Sequence, residues 1–287
     1  MCGKTGERFG MSFFETTILN TYKDKGQAWL KALPKIVRDL SERYGLSELT
    51  PASNLSYNYV CLGLQEKQPI VLKIGCDETA LAQEAAALKF FEGYGGVRVL
   101  DEERGVLLLE RAIPGDSLKA YSLHNEEKIR ISCQMMKQLH EATPSEAQRF
   151  PRMQEWLNIL DQGWDMPSEY LHQARKLRNR LLEASSDQVL LHGDLHHDNI
   201  LKHGKGWVVI DPKGVIGAPV HETWAFVQDI ESDTAFISNF FSFPLQEVRD
   251  WYFVHLILAA CWNLSDDGAP DIFLDRAKQA FFLTSLS

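Results

Sequence analysis

The chain has little with which to build covalent or metal staples. Its five cysteines, Cys2, Cys61, Cys76, Cys133 and Cys261, are scattered and odd in number, and none forms a C-x-x-C pair. That usage argues against a disulfide framework or a zinc site and fits reduced thiols in the cytoplasm. No apolar run is long enough to span a bilayer. The longest, 251–262, is interrupted by His255 and reads as a buried helix. The first residues are polar and glycine-containing and lack the apolar centre of a secretion signal, so 1–12 reads as a loose leader. Positive charge is in deficit: 30 Lys and Arg stand against 39 Asp and Glu, a formal net charge of −9. This argues against non-specific nucleic-acid binding and mildly favours a cationic or neutral small partner. Repeats and low-complexity tracts are also missing.

What remains is an ordinary globular composition, 45% hydrophobic and 24% charged over 287 residues. That length suits one large or two modest domains. The segment 26–44 repeats apolar residues with a helical period through Leu30, Leu33, Ile36, Val37, Leu40 and Tyr44, with Pro34 as an expected kink and Gly45 as its stop. Strand signals at 58–64 and 69–74 flank a polar turn at 65–68, an alanine-rich helix follows at 79–91, and 97–100 and 106–110 read as a second strand pair. The remainder is mostly helical, at 126–142, 154–160, 168–184, 223–236, 245–264 and 272–283. Short strands at 189–191 and 207–210 interrupt it.

The chemistry concentrates between those two strands. The run His192-Gly193-Asp194-Leu195-His196-His197-Asp198-Asn199-Ile200-Leu201 keeps a D-x-x-x-x-N spacing, and Asp211 ends the next apolar strand. Phosphoryl transfer needs one carboxylate to take the proton of the attacking hydroxyl, and an Asn with a second Asp to hold magnesium against the phosphates. Asp194 fits the base, and Asn199 and Asp211 fit the metal ligands. A metallophosphoesterase competes through Gly193-Asp194-Leu195-His196, but it needs a D-x-H upstream and a G-N-H-D downstream, and neither is found.

Upstream, Lys73 lies in Ile70-Val71-Leu72-Lys73-Ile74, like the lysine of a V-A-I-K strand, and Glu84 follows in the next helix. This is the pair that grips the α- and β-phosphates in a kinase. The phosphate-covering loop has no G-x-G-x-x-G; Ser56, Tyr57, Asn58 and backbone amides stand where glycines would. Glu110 and Ala112 occupy the place where backbone groups meet an adenine edge. Asp116 reads either as a ribose or substrate contact or as a helix N-cap with Ser117. His196, His197 and Asp198 read as supports of the loop. Lys213 either neutralises the charge of the transferring phosphate or faces water. Glu222 opens a helix after a Gly-x-Pro turn and reads as a brace accepting backbone bonds from the loop.

Together these segments, with Leu107-Leu108-Leu109-Glu110-Arg111-Ala112-Ile113-Pro114-Gly115 and Ile210-Asp211-Pro212-Lys213-Gly214, resemble the aminoglycoside phosphotransferase family, and within it the streptomycin 6-phosphotransferase and hydroxyurea phosphotransferase branch. The resemblance covers about residues 50 to 225. It implies an α+β, two-lobed, protein-kinase-like fold, with a small β-rich N-lobe at 1–110 and a larger helical C-lobe at 111–287. It also implies transfer of the γ-phosphate of ATP, with Mg2+, to a small-molecule hydroxyl. His192-Gly193-Asp194 lacks the arginine of H-R-D and no A-P-E follows, so no protein substrate and no activation-loop switch are expected. No nucleic-acid or membrane partner is expected either. The acceptor is left open between an aminoglycoside or hydroxyurea-type drug and a metabolic alcohol or sugar. Acceptor-binding carboxylates are sought among Glu155, Asp161, Asp165, Glu231, Asp233, Asp266 and Asp267. A catalytically silent nucleotide-binding scaffold is the competing class, prompted by the missing glycine-rich loop.

Overall fold

The first helix, α1 (Phe13–Tyr44), opens on a full capping box, with Ser12 and Glu15 satisfying each other's backbone, and closes on left-handed Gly45 at φ 62°. The expected kink at Pro34 is not where the helix breaks. The interruption lies at Lys23 (φ 50°, ψ −127°), and helix also precedes it, from Phe13. The computed structural model describes residues 12–142, 150–184, 188–266 and 268–284. The chain divides into two compact units, Met1–Ala82 with Val99–Arg111, and Gln83–Arg98 with Ala112–Ser287.

In the first unit α1 is followed by β1 (Leu46–Pro51), β2 (Asn58–Gln65) and β3 (Gln68–Gly75), then by the start of α2 (Glu78–Phe90), and by β4 (Val99–Glu103) and β5 (Val106–Glu110). The sheet runs β1-β2-β3-β5-β4, each neighbour antiparallel. Strand β1 was not anticipated. Its residues Leu46-Ser47-Glu48-Leu49-Thr50-Pro51 are half-buried or exposed and give little apolar signal. The β2–β3 turn is tighter than the polar stretch suggested, only Glu66 and Lys67, both left-handed, as a two-residue hairpin requires. Strand β4 continues through Asp101-Glu102-Glu103, because an outer strand tolerates charge. Side chains alternate across the sheet. Ile70, Leu72, Ile74, Val106 and Leu108 face the core that α1 covers with Phe14, Ile18, Leu33 and Leu40.

The second unit begins within α2 and contains β6 (Pro114–Ser117), α3 (Asn125–Leu139), α4 (Met153–Leu157), α5 (Ser168–Ala184), β7 (Val189–Leu191), β8 (Ile200–His203), β9 (Gly206–Val209), β10 (Val215–Gly217), α6 (Ile230–Phe241), α7 (Leu245–Ser265) and α8 (Asp271–Phe281). Helix α7 is the centre of this unit. From Trp251 to Cys261 every side chain is buried, His255 included, as its long apolar run foretold. It is flanked by α5, α6 and α8. Two expectations change here. Asp116 and Ser117 lie in β6 rather than at a helix N-cap, with Ser117 Oγ capping only the turn that follows. The helix expected at 223–236 is split: its start belongs to a 3-10 stretch, Pro219–Phe226, and its end to α6, with a bend between them where Gln228 and Asp229 donate backbone N–H to Asp233.

Candidate active site

Strand β7 delivers the 192–201 loop from the core, through Leu190 and Leu191, both wholly buried. A short 3-10 turn, His197–Asn199, carries it into β8. His192 is the hub. Its Nδ1 accepts from Asp194 N at 3.2 Å and its Nε2 lies 2.9 Å from Ile210 O, so the ring bridges the loop and the strand leading to Asp211. That pattern requires the neutral Nε2–H tautomer. Burial supplies it by pushing the imidazole below its ordinary value, against the pull of Glu222 and Asp194.

Asn199 Nδ2 donates to the Asp194 carbonyl at 2.9 Å, which turns the amide oxygen away from that carbonyl. Ile210 N donates to Asn199 O at 3.0 Å. Asp194 and Asn199 are therefore tied to each other and to Ile210, the residue directly before Asp211, by backbone and ring hydrogen bonds. Asp211 adopts a left-handed φ of 61°, uncommon for a residue other than glycine. The Asp194 carboxylate has His196 Nε2 3.8 Å from Oδ1 and Lys213 Nζ 3.9 Å from Oδ2, and is about one-third exposed. Gly193 sits at φ 82°. A Cβ there would meet the Trp156 ring at 2.9 Å, so only glycine lets the indole lie against this loop.

Beneath the loop is Glu222, buried to 3% exposure, accepting from His192 N at 2.6 Å and Gly193 N at 2.9 Å. This is the brace expected from its position. Burial acts to raise its carboxyl, but His140, His192 and the Gly193 amide outweigh it and hold the group below the usual range. His140 Nε2 is 3.6 Å away, too far for a hydrogen bond, so its influence is electrostatic. His196 caps the 3-10 turn through Asp198 N, Asp198 pairs with Lys119 at 2.8 Å, and His197 is buried against Gln228. These are the supporting roles anticipated for them.

In the first unit, Lys73 lies on β3 between Val60 and Leu107, on the face opposite the α1 core, and is 4% exposed. A lysine so buried needs compensation, and it is not without a partner. The 52–57 connection joins β1 to β2 and bears exposed Ser56, while Asn58 opens β2 with its Oδ1 over Gly75. Glu110 ends β5 opposite Ile70. In the second unit, Glu84 on α2 is 7% exposed and has a partner, and Ala112 is buried directly after the β5 exit.

Residues 46–240, more than half of the chain, match the model of the aminoglycoside/hydroxyurea antibiotic resistance kinase family. The chain belongs to this family. It is thereby placed among phosphotransferases that act on hydroxyl groups. It is 35% identical over 135 residues to streptomycin 3''-kinase of Klebsiella pneumoniae, a match spanning 45% of this chain and half the length of that protein. It is 22% identical over 278 residues to streptomycin 6-kinase of Streptomyces glaucescens, covering 86% of this chain and 88% of that one. The fold is protein-kinase-like. It resembles aminoglycoside phosphotransferase APH(4)-Ia, crystallised with ADP and hygromycin B, at a TM-score of 0.63 and 15% identity, covering 86% of this chain and 95% of that one. It also resembles choline kinase LicA of Streptococcus pneumoniae, at a TM-score of 0.64 and 14% identity, covering 88% and 98%.

Within this member of the family, several of the carboxylates sought for an acceptor are already engaged. Asp161 makes a two-pronged pair with Arg178, Glu155 caps α4 through Arg152 N, and buried Asp233 accepts from Gln228, Asp229 and Asn125. Asp165, Glu231 and Asp266 are exposed, and Asp267 lies outside the described residues. Among the described residues no group of three or more His, Cys, Asp or Glu could hold a metal. Nor, among them, is any helix long and apolar enough to cross a membrane. The sequence reading gave His192 no role of its own and passed over Gln83. The signal for His192 was its place in the H-x-D triplet. Gln83, next to Glu84, had none.

Proposed function

We propose that this kinase transfers the γ-phosphate of ATP to a hydroxyl of a streptomycin-type aminoglycoside, with magnesium. The observation that carries the reading is the set of hydrogen bonds that ties Asp194 to Asn199 and, through the His192 ring and the Asn199 carbonyl, to Ile210, the residue directly before Asp211. In the reaction the acceptor oxygen attacks the γ-phosphorus and forms the new O–P bond. The bond to the β–γ bridging oxygen breaks, its electron pair leaves on ADP, and the hydroxyl proton passes to the Asp194 carboxylate.

Asn199 Oδ1 and the Asp211 carboxylate are the groups that would hold magnesium. Both are hard oxygen donors, and two protein ligands suffice where phosphates and water complete the shell. Bound there, the ion neutralises phosphate charge and steadies the β- and γ-groups. We assign Lys73 and Glu84 to the α- and β-phosphates, Ser56 and Asn58 to covering the phosphates, and the backbone at Glu110 and Ala112 to the adenine. The streptomycin kinases among its relatives, the net charge of −9 and the exposed Asp165, Glu231 and Asp266 support a polycationic acceptor. The scattered, odd-numbered cysteines support work in the reducing cytoplasm.

The test is ADP release from magnesium-ATP across streptomycin, other aminoglycosides, hydroxyurea, sugars and amino alcohols. Streptomycin-dependent turnover is expected, lowered about 10²–10⁴-fold in Asp194→Ala with nucleotide binding kept. Turnover that Asp194→Ala leaves unchanged would refute the assignment. Activity confined to a sugar or amino alcohol would move the acceptor to metabolism. Proton-coupled phosphorus NMR of the product names the hydroxyl.

A further inference from the structure

Lys213 is the exposed member of a segment that is otherwise fixed. Its N–H donates to His192 O at 2.7 Å, and Gly214 N reaches the same carbonyl at 3.2 Å. Its own carbonyl accepts from Gln83 Nε2 at 2.6 Å, and that amide also reaches Gly214 O at 3.1 Å. Pro212 and Gly214 on either side are buried. A Cβ on Gly214 would stand 2.8 Å from the Phe150 ring and 3.1 Å from Ala87, so the segment has no room to shift sideways. The backbone of Lys213 is thus clamped to the residue two before Asp194 and to α2. Only the side chain is exposed, and its Nζ ends 3.9 Å from Asp194 Oδ2.

We infer that Lys213 is a further catalytic residue, a cation that binds the γ-phosphoryl oxygens as the phosphoryl group passes from ADP to the acceptor. The inference rests on the phosphotransfer reading above. A base stands roughly 2.6–3.2 Å from the hydroxyl oxygen it deprotonates. That oxygen stands about 3–3.5 Å from the phosphorus it attacks. An ammonium 3.9 Å from the base carboxylate therefore lies within reach of the equatorial phosphoryl oxygens. The charge spread over those oxygens in a loose transition state is what a fixed cation stabilises most. Lys213 suits the task because its anchor is rigid and its stem is not. Arginine's wider fork would have to settle between the phosphate and Asp194. Among the described residues, His196, 3.8 Å from the other oxygen, is the only other cation-capable side chain seen within 4 Å of the Asp194 carboxylate, and it is tied to the 3-10 turn through Nδ1.

The test compares wild type, Lys213→Met, Lys213→Arg, Gln83→Leu and the combined Lys213→Met, Gln83→Leu variant, each as the full chain. Calorimetry measures the affinity for magnesium-ADP alone and for magnesium-ADP with aluminium fluoride, a mimic of the transferring phosphoryl group. Turnover is measured alongside. Lys213→Met keeps both backbone bonds, and its side chain is already more than half exposed, so folding is not at issue. It is expected to hold ADP within about twofold, to lose the tighter binding that fluoroaluminate confers, and to lower kcat about 10²–10³-fold. Lys213→Arg should restore part of both. Gln83→Leu should weaken fluoroaluminate binding in the wild type but add nothing to Lys213→Met, as expected if it acts through the lysine. Equal fluoroaluminate affinity and equal kcat in wild type and Lys213→Met would overturn the inference and leave the phosphotransfer reading standing. Failure of the wild type to bind magnesium-ADP would bring down both.

Discussion

The buried carboxylate of Glu222 serves as a fixed acceptor for two amides that the loop cannot otherwise satisfy, His192 N and Gly193 N. A charged acceptor makes each of these bonds stronger than a neutral one would. Glu222→Gln keeps the shape but removes the charge and leaves a single oxygen for two donors. It should cost about 1–3 kcal/mol of stability, the range for buried polar groups left short of a partner. It should also lower kcat more than it raises KM for ATP, because the geometry of Asp194 suffers before the phosphate grip does. Urea unfolding and steady-state kinetics read the two effects, and an unchanged kcat would mean that the brace does not position the loop. Much at this scale was legible. Asp194, Asn199 and Asp211 stand out because a local turn and two flanking strands impose a fixed spacing. Glu222 was legible only through the turn before it. His192 as a bridge was not, because one of its partners, Ile210, directly follows a strand, β9, whose register no local pattern specifies.

At the scale of elements, strongly periodic segments were legible and boundaries set by exposed residues were not. Helix α7 announced itself by its apolar run, and the β2–β3 hairpin by its polar turn. Strand β1 escaped because its pairing to β2 is specified by the partner's register and not by its own alternation. The start of α1 escaped for a different reason: a non-helical residue, Lys23, splits its period into two phases. The two pieces pack against each other at Gly26, where a Cβ would stand 2.6 Å from the Ile18 carbonyl oxygen and 3.0 Å from the Ile18 methyl. Backbone cannot yield as a flexible side chain can. Gly26→Ala should therefore cost about 1–3 kcal/mol, the usual penalty of overpacking, despite alanine's better helix propensity. The strain should fall on the segment before Lys23, so tryptic cleavage at Lys23 and Lys25 is expected to accelerate while cleavage elsewhere does not. A variant as resistant and as stable as the wild type would show that the two pieces are not held by this contact.

Across the whole molecule, several buried imidazoles make stability a function of pH. Burial holds His192 below its ordinary value, His221 well below, His197 at about 4 and His255 at about 3. His221 Nδ1 and His255 Nε2 lie 2.9 Å apart, a contact that works only if one nitrogen donates and the other accepts. Trp251 and Trp224 close the pair off, Trp224 stacking on the His255 ring. In the unfolded chain these groups bind protons as pH falls through about 6.5, while in the folded chain they do not until far lower. The unfolded state then holds more protons, so stability is full above about pH 6.5 and is lost as pH falls below it, toward 4 and 3. Each histidine contributes a slope of up to about 1.4 kcal/mol per pH unit in that window. Glu222, whose carboxyl is held low, acts in the same direction but only below the ordinary carboxylate range. Urea midpoints measured from pH 7.5 to 5 should therefore fall steadily once pH drops below 6.5. His255→Gln keeps a side chain that donates and accepts but does not titrate, so it should flatten the slope by about 1.4 kcal/mol per pH unit. A variant with the wild-type slope would locate the acid sensitivity elsewhere, because removing a group that binds a proton only on unfolding must remove its share of the linkage.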